Sequence, residues 1–443
     1  MDTPICRFLE DYAARDALRL HMPGHKGQGS PSAPYDVTEI DGADSLYEAS
    51  GIIAESEKNA GSLFGCHTFY STEGSSLAIR AMLYLATLDA QSRGEAPHVL
   101  AGRNAHKTFL SAVALLDVAV TWLAPKGSSY LSCPITAEDV ATALKANPAV
   151  TALYLTSPDY LGNTVDLTAI ADVCHEHGVL LLVDNAHGAY LKFLPRSRHP
   201  MDLGADLCCD SAHKTLPALT GCAYLQVAKG LPSFFCERAK QALSLFASTS
   251  PSYLMLASLD ALNRTLAESF PGELAACAER VEGLKDRLIA HGFSLVGNEA
   301  MKLTIAPKPY GYTGTELSRY LTDRGIVPEF ADPDHLTLML SPAVAHHFDA
   351  LEEALIALPR RCPILDTPPV FTLPQAVLTP REAVLADAEE LPADACLGRI
   401  LAAVTVGCPP AVPIVVSGER IEEAHLAAFA YYGMKTLWVV KEK

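Results

Sequence analysis

Residues 179–184 read Val-Leu-Leu-Leu-Val-Asp, an apolar stretch that ends in an aspartate. An unbroken apolar run of this length is typical of a strand that is buried on both faces of a parallel sheet. Ligands of such sheets bind beyond the carboxyl ends of the strands. Asp184 is therefore predicted to lie where a ligand binds. For a single aspartate at a strand end, the alternative is a cap on the next helix.

Helix-like and strand-like segments alternate around this run, from about residue 50 to about residue 250. The alternation predicts an α/β domain with a mainly parallel sheet that is covered by helices on both faces. Strands are predicted at 99–101, 118–123, 152–156 and 179–183, and helices at 5–20, 76–88, 108–116 and 167–177.

The rest of the chain has a different character. Helices at 252–266 and 273–291, followed by strands at 302–306 and 336–340, predict a smaller α+β domain. Proline becomes frequent over 358–380, which indicates a linker. A helix-like start at 379–389 and strands at 413–416 and 436–440 predict a C-terminal α/β extension. We therefore expect an N-terminal helix and arm (1–30), a large α/β domain (31–250), a small α+β domain (251–360), and a proline-rich linker with a C-terminal domain (361–443).

Composition and charge exclude several classes of protein. The 443 residues are 49% apolar and 19% charged, which is typical of a globular chain with large cores. The net charge of −17 argues against nucleic-acid binding and is compatible with a cationic substrate. Several of the 12 cysteines lie in apolar runs, and neither a leader nor a membrane span is evident. We expect a reduced, cytoplasmic protein without membrane partners.

A lysine follows a second apolar segment. Residues 206–215 read Asp-Leu-Cys-Cys-Asp-Ser-Ala-His-Lys-Thr, so that Lys214 comes just after a short Ser/His turn. A lone lysine is usually a solvated surface charge. Paired with an aspartate at a strand end, it is what a pyridoxal phosphate enzyme requires. Lys214 would form the Schiff base, and Asp184 would keep the pyridine nitrogen protonated. The pair predicts pyridoxal 5'-phosphate as the cofactor.

A phosphate-binding segment is the next requirement. Residues 71–76 read Ser-Thr-Glu-Gly-Ser-Ser and precede an apolar helix. Gly74, Ser75 and Ser76 would place donors at a helix N-terminus, where an anion is stabilised. Ser211 is a further candidate phosphate ligand. Alone, the segment is an ordinary helix cap.

Three histidines have positions that suit catalysis. His106 follows the strand at 99–101 and is predicted to stack on a cofactor ring. His187 would support Asp184 or face the phenolic oxygen of the cofactor, and His213 would transfer protons. For each one alone, a structural hydrogen bond is the alternative.

Two other chemistries find no support in the residue spacing. The residues that could bind a metal do not form the usual Cys-x2-Cys or His-x3-His pairs. The sequence also contains no Gly-x-Ser-x-Gly turn of the kind found in serine hydrolases. The residues weighed as metal ligands are Cys174, His175, His177, His187 and Cys208. We expect no metal.

The sequence resembles the bacterial Orn/Lys/Arg decarboxylases, a branch of the fold-type-I, aspartate-aminotransferase-like pyridoxal phosphate enzymes. The resemblance spans nearly the whole chain. The stretches that carry it are Leu-His-Met-Pro-Gly-His-Lys-Gly (20–27), Asp-Gly-Ala-Asp-Ser-Leu (41–46), Arg-Asn-Ala-His-Lys (103–107), Asp-Asn-Ala-His-Gly-Ala (184–189), Ser-Ala-His-Lys (211–214), Cys-Pro-Pro-Ala-Val-Pro (408–413) and Ser-Gly-Glu-Arg-Ile (417–421).

The resemblance implies a role for each matched residue. Lys214 corresponds to the Schiff-base lysine, Asp184 to the partner of the pyridine nitrogen, and His106 to the ring-stacking histidine. The implied phosphate ligands are Ser75, Ser76 and Ser211. The stretch 248–251, with Thr249, is similar to one that reaches the phosphate of the neighbouring active site. A homodimer with shared active sites is thereby implied.

The chain also departs from the family pattern. It looks like the short form, without the N-terminal response-regulator-like domain, so the decamer built through that domain is not expected. Thr72-Glu73-Gly74 replaces the usual Thr-Asn-Gly of the family, and Thr220-Gly221 replaces Thr-Gln. Residues 408–411 (Cys-Pro-Pro-Ala) replace Tyr-Pro-Pro-Gly. The resemblance implies that these changes leave the cofactor site intact.

The expected reaction is decarboxylation of lysine, arginine or ornithine to a di- or polyamine precursor, after which Lys214 or His213 protonates Cα. A carboxylate must bind the distal cation of the substrate. Glu329, Asp332 and Asp44 are candidates, and a plain surface charge is the alternative for each.

Two other functions use the same scaffold. One is another fold-type-I reaction, by an aminotransferase or a lyase. Aminotransferases usually bind the α-carboxylate with an arginine, and Arg319 and Arg324 belong to no motif that we match. The other is a catalytically silent regulatory protein, which is disfavoured because the chain has Lys214, Asp184 and His106 together.

Overall fold

A computed structural model describes residues 1–15, 17–125, 130–408 and 412–442. The helices are α1 (Pro4–Ala13), α2 (Ile52–Phe64), α3 (Gly74–Ser92), α4 (Lys107–Leu116), α5 (Ala137–Ala146), α6 (Leu167–Glu176), α7 (Ala212–Thr215), α8 (Phe234–Ser244), α9 (Tyr253–Glu268), α10 (Phe270–His291), α11 (Gly314–Thr322), α12 (Phe348–Ile356), α13 (Pro380–Val384) and α14 (Glu423–Tyr431). The strands are β1 (His67–Ser71), β2 (His98–Gly102), β3 (Ala119–Leu123), β4 (Ala152–Thr156), β5 (Leu180–Asp184), β6 (Leu207–Asp210), β7 (Ala223–Val227), β8 (Ser294–Val296), β9 (Lys302–Ala306), β10 (Phe330–Ala331), β11 (Leu336–Met339), β12 (Ala388–Pro392), β13 (Thr405–Cys408), β14 (Val412–Val416) and β15 (Thr436–Val440).

The chain forms two compact units, and each unit combines two separate stretches of sequence. The first unit comprises residues 1–96 and 167–272, and the second comprises residues 97–166 and 273–443. Among the described residues, no helix is both long enough and apolar enough to cross a membrane.

The strands of the first unit follow the order β1-β7-β6-β5. β5 and β6 are parallel, with Asp184 opposite Cys209, whereas β7 is antiparallel to β6 and to β1. Leu181, Leu182 and Val183 are fully buried, which explains the unbroken apolar run. Because β5 and β6 are parallel, the residues that follow Asp184 and Asp210 emerge at the same edge.

Helix α3 packs against this part of the sheet. It contacts β7 and β6 and also α8. Leu77, Ala81 and Met82 lie on its buried side, which accounts for the apolar spacing that predicted it. Its N-terminus lies at Gly74, just after β1 ends at Ser71.

The second unit contains several sheets. β4, β2 and β3 are neighbours in that order and run parallel. An antiparallel sheet of order β10-β11-β9-β8 packs on α10 through a cluster that includes Leu284, Leu303 and Leu336. Near the C-terminus, β12 pairs with β15 and β13 pairs with β14, beside a cluster that includes Val415 and Phe429. Residues 361–375 contain no helix or strand.

Two predicted helices are too long. The helix predicted at 5–20 ends at Ala13; Leu18 and Leu20 continue the apolar spacing but are exposed, so they bury no apolar face that would stabilise a longer helix. The helix predicted at 379–389 ends at Val384, and residues 388–392 form β12 instead. Antiparallel pairing with β15 overrides the helix propensity of that alanine- and glutamate-rich stretch.

Candidate active site

Asp184 ends β5 and is 2% exposed. Its Oδ1 accepts a hydrogen bond from the backbone N–H of Ala186 at 3.1 Å and lies 3.4 Å from the Sγ of Cys209, which donates to it. Burial, followed by the charge of Asp184, raises the pKa of the Cys209 thiol well above its ordinary value. Cys209 therefore stays protonated and remains a donor that orients the carboxylate.

Lys214 lies on the short helix α7, which follows β6. Its Nζ is 3.2 Å from the Nε2 of His187, a residue that is 6% exposed. His187 comes three residues after Asp184, beyond the end of β5. The parallel pairing of β5 and β6 thus brings the lysine and the histidine into contact at the edge that also holds the aspartate. Lys214 as a whole residue is exposed.

Two predicted phosphate ligands meet at the N-terminus of α3. The Oγ of Ser211 donates to the Oγ of Ser75 at 2.8 Å, and both residues are buried. Ser76 follows in the same first turn and is half-buried. The N-terminus of a long helix presents backbone N–H groups and a positive dipole end, which together stabilise an anion.

Gly74 and Gly221 shape the start of α3. Gly74 has a φ of +73°, and its N–H donates to the carbonyl of Gly221 at 2.8 Å. Gly221 has a φ of +97°, and a Cβ there would lie 2.9 Å from the Sδ of Met255 and 3.0 Å from the carbonyl oxygen of Thr72. Glycine at this position, where the family pattern has Gln, thus suits the backbone conformation and the space that this chain provides.

The predicted cross-dimer segment lies near the same helix of its own chain. The backbone N–H of Ser248 donates to the Oε1 of Glu73 at 2.7 Å, and Glu73 immediately precedes Gly74. Thr249 is exposed. Its contribution to a neighbouring site stays a prediction.

One ring nitrogen of His213 is engaged in a hydrogen bond. Its Nδ1 is 3.0 Å from the carbonyl oxygen of Cys222, so Nδ1 carries the hydrogen and donates. The side chain is half-buried. The other nitrogen, Nε2, is the one that a proton-transfer role would use, and this role stays a prediction.

His106 belongs to the second unit and caps α4. Its Nδ1 accepts from the backbone N–H of Thr108 at 3.2 Å and lies 3.0 Å from the Oγ1 of the same residue. His106 follows β2, so it emerges from the carboxyl end of a parallel strand. The cap fixes the ring orientation, which a stacking residue needs.

The three candidate substrate carboxylates differ in their contacts. Asp44 accepts from the backbone N–H groups of Gly51 and Ile53 at 2.8 and 3.1 Å, so it caps the start of α2. Asp332 is buried, and its Oδ1 accepts from the N–H groups of residues 334 and 335 at 2.7 and 2.6 Å. Glu329 is exposed and accepts from the hydroxyl of Tyr160 at 2.9 Å. Backbone groups thus engage two of the three, and a side chain engages the third.

Comparison with known proteins decides the family. The family model described as Orn/Lys/Arg decarboxylase, major domain, matches residues 3–296, and the model of the family's C-terminal domain matches residues 367–439. The chain belongs to the Orn/Lys/Arg decarboxylase family.

Named relatives agree with this assignment. The chain is 30% identical to the arginine decarboxylase of Bacillus subtilis, over 96% of this chain and 92% of that protein. It is 31% identical to the arginine decarboxylase of Halalkalibacterium halodurans, with the same coverage. Among solved structures it is similar to the lysine decarboxylase LdcF of Francisella novicida, with a TM-score of 0.82 and 16% identity over 99% of this chain and 81% of that one. This likeness confirms the predicted fold-type-I α/β class.

The structure describes only part of one motif that carries the resemblance of this decarboxylase to its family. Residues 409–411, the Pro-Pro-Ala of that motif, lie outside the described residues.

Sequence reasoning missed a buried network beside the site. Asp210, which is fully buried, accepts from the Nδ2 of Asn185 at 2.6 Å and the Nε2 of Gln226 at 2.9 Å, and lies 3.1 Å from the Nε2 of His199. Asn185 follows Asp184, and Asp210 precedes Ser211, so the network joins the ends of β5 and β6. The available signal was the apolar run that ends in a second aspartate at residue 210.

The same network contains donor atoms of the kind that bind metals. In the part of the chain that the structure describes, one ligand atom each of His199, Cys208 and Asp210 lie within 4.8 Å of one another, and all three residues are buried. Burial raises the pKa of the Cys208 thiol well above its ordinary value, so this sulfur is held in its protonated form. With the Asp210 carboxylate bonded to two amides as well, hydrogen bonding accounts for the cluster.

Proposed function

We propose that this decarboxylase acts on arginine and uses pyridoxal 5'-phosphate bound through Lys214. The observation that carries the proposal is the contact between Lys214 and His187 at the strand edge that also holds the buried Asp184. Two relatives that align with nearly the whole chain are named arginine decarboxylases, which favours arginine over lysine and ornithine.

The residues of the first unit fit this cofactor by their chemistry. The amine of an exposed lysine, a buried carboxylate and two hydroxyls that meet at a helix N-terminus correspond to its aldehyde, ring nitrogen and phosphate. When bound, pyridoxal phosphate supplies an electron sink for the electron pair left by departing CO2. Asp184, held by Ala186 and Cys209, would keep a proton on the ring nitrogen. The Ser75–Ser211 pair, with Gly74 and Ser76, would bind the phosphate.

Protons are moved by the groups around Lys214. The Nε2 of His187 is close enough to take up or return a proton at the Nζ of Lys214. Lys214 would protonate Cα after CO2 leaves, and His213 would assist through its Nε2. His106 keeps the ring-stacking role that the family resemblance implies, in the orientation set by Thr108.

Glu329 is the carboxylate that we propose for the distal cation. It contacts Tyr160, which follows β4, whereas His106 follows the neighbouring parallel strand β2. Tyr160 and His106 therefore emerge from the same edge of the sheet. Burial, followed by the charge of Glu329, raises the pKa of the Tyr160 hydroxyl, so it stays a donor and fixes one carboxylate oxygen. The other oxygen is left to meet a guanidinium.

The site is proposed to be completed in a homodimer. Support comes from the family resemblance of the stretch around Thr249 and from its exposure. A cytoplasmic location is also proposed, because the cysteines recorded in the structure are free thiols and most are buried.

The test begins with the colour of the purified protein. Protein loaded with pyridoxal phosphate should be yellow and should lose this absorbance on borohydride reduction, and Lys214→Ala should lose both the absorbance and CO2 release. Assays with arginine, lysine and ornithine then identify the substrate. Protein that takes up no pyridoxal phosphate would overturn the proposal.

The two alternatives give different outcomes in the same assays. Yellow protein that transfers the amino group to a keto acid without releasing CO2 would be an aminotransferase. Yellow protein that turns over no amino acid would be a silent regulator. Release of CO2 from lysine alone would support the decarboxylase activity but would identify lysine, and not arginine, as the substrate.

A further inference from the structure

Arg103 is a fully buried cation in the motif that ends with His106 and Lys107. It is 1% exposed, and its Nη1 and Nη2 donate to the two carboxylate oxygens of Glu419, each at 2.7 Å. Glu419 is 2% exposed. The guanidinium also lies 4.9 Å from the ring centre of Trp122, and its Nη2 is 3.3 Å from the carbonyl oxygen of Ile414. This geometry is the planar, two-bond pairing that arginine makes with a carboxylate.

Glu419 is itself held in a tight turn after β14. Its Oε2 accepts from the backbone N–H of Val416 at 2.8 Å, and its own N–H donates to the carbonyl of Val416 at 3.1 Å. Gly418 before it has a φ of +89°, and a Cβ there would lie 2.2 Å from the carbonyl oxygen of Leu378. The carboxylate therefore has little freedom, and it belongs to the stretch matched by the family's C-terminal domain.

A rigid turn connects Arg103 to His106. The N–H of Arg103 donates to the carbonyl of Leu123 at 3.1 Å, and the N–H of Ala105 donates to the carbonyl of Gly102, also at 3.1 Å. The carbonyl of His106 then accepts from Phe109 at 2.9 Å. Because Arg103 and His106 are three residues apart on one hydrogen-bonded turn, a displacement of the Arg103 backbone would strain that turn and thereby shift His106.

We propose that Arg103 and Glu419 form a positioning pair, through which the C-terminal part of the chain holds His106 in the orientation that the cofactor ring requires. The inference rests on the proposed function, because it gives His106 the stacking role. It assigns a task to the segment around Glu419, which supplies no group to the proposed chemistry. Removing one partner would leave an uncompensated buried charge, so the turn at 102–105 would rearrange.

The test compares Glu419→Gln with Glu389→Gln. Glu389 pairs with Arg399 at 2.7 Å within the same C-terminal region, and among the described residues the recorded side-chain contacts of this pair do not include Arg103, so E389Q removes an ion pair without touching the Arg103 guanidinium. Hydrogen–deuterium exchange is measured on both proteins without cofactor, followed by the visible circular dichroism and the dissociation constant of added pyridoxal phosphate. For E419Q we expect at least about tenfold faster exchange over residues 102–110. A changed dichroism band and weaker cofactor binding should accompany it, while E389Q matches the wild type.

The outcomes separate the two proposals. Exchange and dichroism in E419Q that equal those of E389Q would overturn the positioning role. A wild-type protein that binds no pyridoxal phosphate would overturn the proposed function, whereas the exchange measurement would still report on the pair. If E419Q does not fold, Glu419→Asp keeps the charge and shortens the side chain. Faster exchange confined to residues 102–110 then supports the role, and a uniform rise over the second unit contradicts it.

Discussion

Replacing Ser211 with alanine tests the proposed phosphate site directly. The Ser211 hydroxyl meets that of Ser75 at 2.8 Å at the N-terminus of α3, and Ser211 is 1% exposed. A hydrogen bond to a charged group contributes about 1.5–3 kcal/mol. Each 1.4 kcal/mol corresponds to a factor of about ten in affinity. Ser211→Ala should therefore weaken the binding of pyridoxal phosphate by about 10- to 100-fold.

Cofactor binding is measured on the apoenzyme by titration with pyridoxal phosphate and recording of the visible absorbance. Ser62→Ala is the matched control, because Ser62 is an exposed serine of the first unit whose hydroxyl bonds only locally, to the carbonyl of Asn59 at 2.7 Å. The double variant S75A/S211A should lose less binding energy than the two single variants together. The reason is that each hydroxyl loses a partner when the other is removed.

The reasoning would be refuted by a dissociation constant for S211A that stays within about twofold of the S62A value, since that difference is far below one hydrogen bond. The pair of serines would then be a packing feature at the start of α3. A general loss of folding is recognised separately, because it would lower the thermal midpoint of the apoenzyme as well.

Three further predictions address other parts of the site. Tyr160→Phe should raise the KM for arginine several-fold and change kcat little, because the carboxylate of Glu329 loses the donor that orients it; steady-state kinetics check this, and an unchanged KM would contradict the assignment. Cys209 should resist iodoacetamide in the native protein at pH 8, since burial raises its pKa and keeps the unreactive thiol form, whereas the exposed Cys362 should react; peptide mass spectrometry distinguishes them. Asp210→Ala should lower the free energy of unfolding by at least about 3 kcal/mol in urea, because three buried donors each lose an acceptor at about 1–3 kcal/mol, and a loss below about 1 kcal/mol would argue against the network.

The local sequence pattern was sufficient to predict the strands and helices whose burial follows from their own side-chain spacing. The apolar run before Asp184 and the helix after Gly74 could be predicted because their burial follows directly from the spacing of their side chains. The predicted helix at 379–389 was too long because pairing with β15 decides the state of its second half, and a window of sequence does not contain that partner.

The same limit applies to the site. Asp184 and Lys214 could be proposed from the sequence because each has its own local signal, an apolar segment that ends in an aspartate. The pairing of Arg103 with Glu419 carried no such signal, since the two residues lie 316 positions apart. The Asp210 network likewise could not be predicted without knowing the strand order. Gln226 on β7 reaches Asp210 only because β7 pairs antiparallel with β6.

Because the first unit combines two separate stretches of sequence, its parts are synthesised at different times. β1 is translated early, yet it pairs with β7, and the Oγ1 of Thr68 donates to the Oε1 of Gln226, which is 158 residues further on. At roughly 5–20 residues per second, a ribosome needs on the order of 10–30 seconds to add that length. During this interval the edge of β1 has no β7 beside it, while residues 97–166 of the other unit are already emerging. A nascent chain paused before residue 223 should therefore show this strand open to chaperones and proteases, and release of the pause should close it.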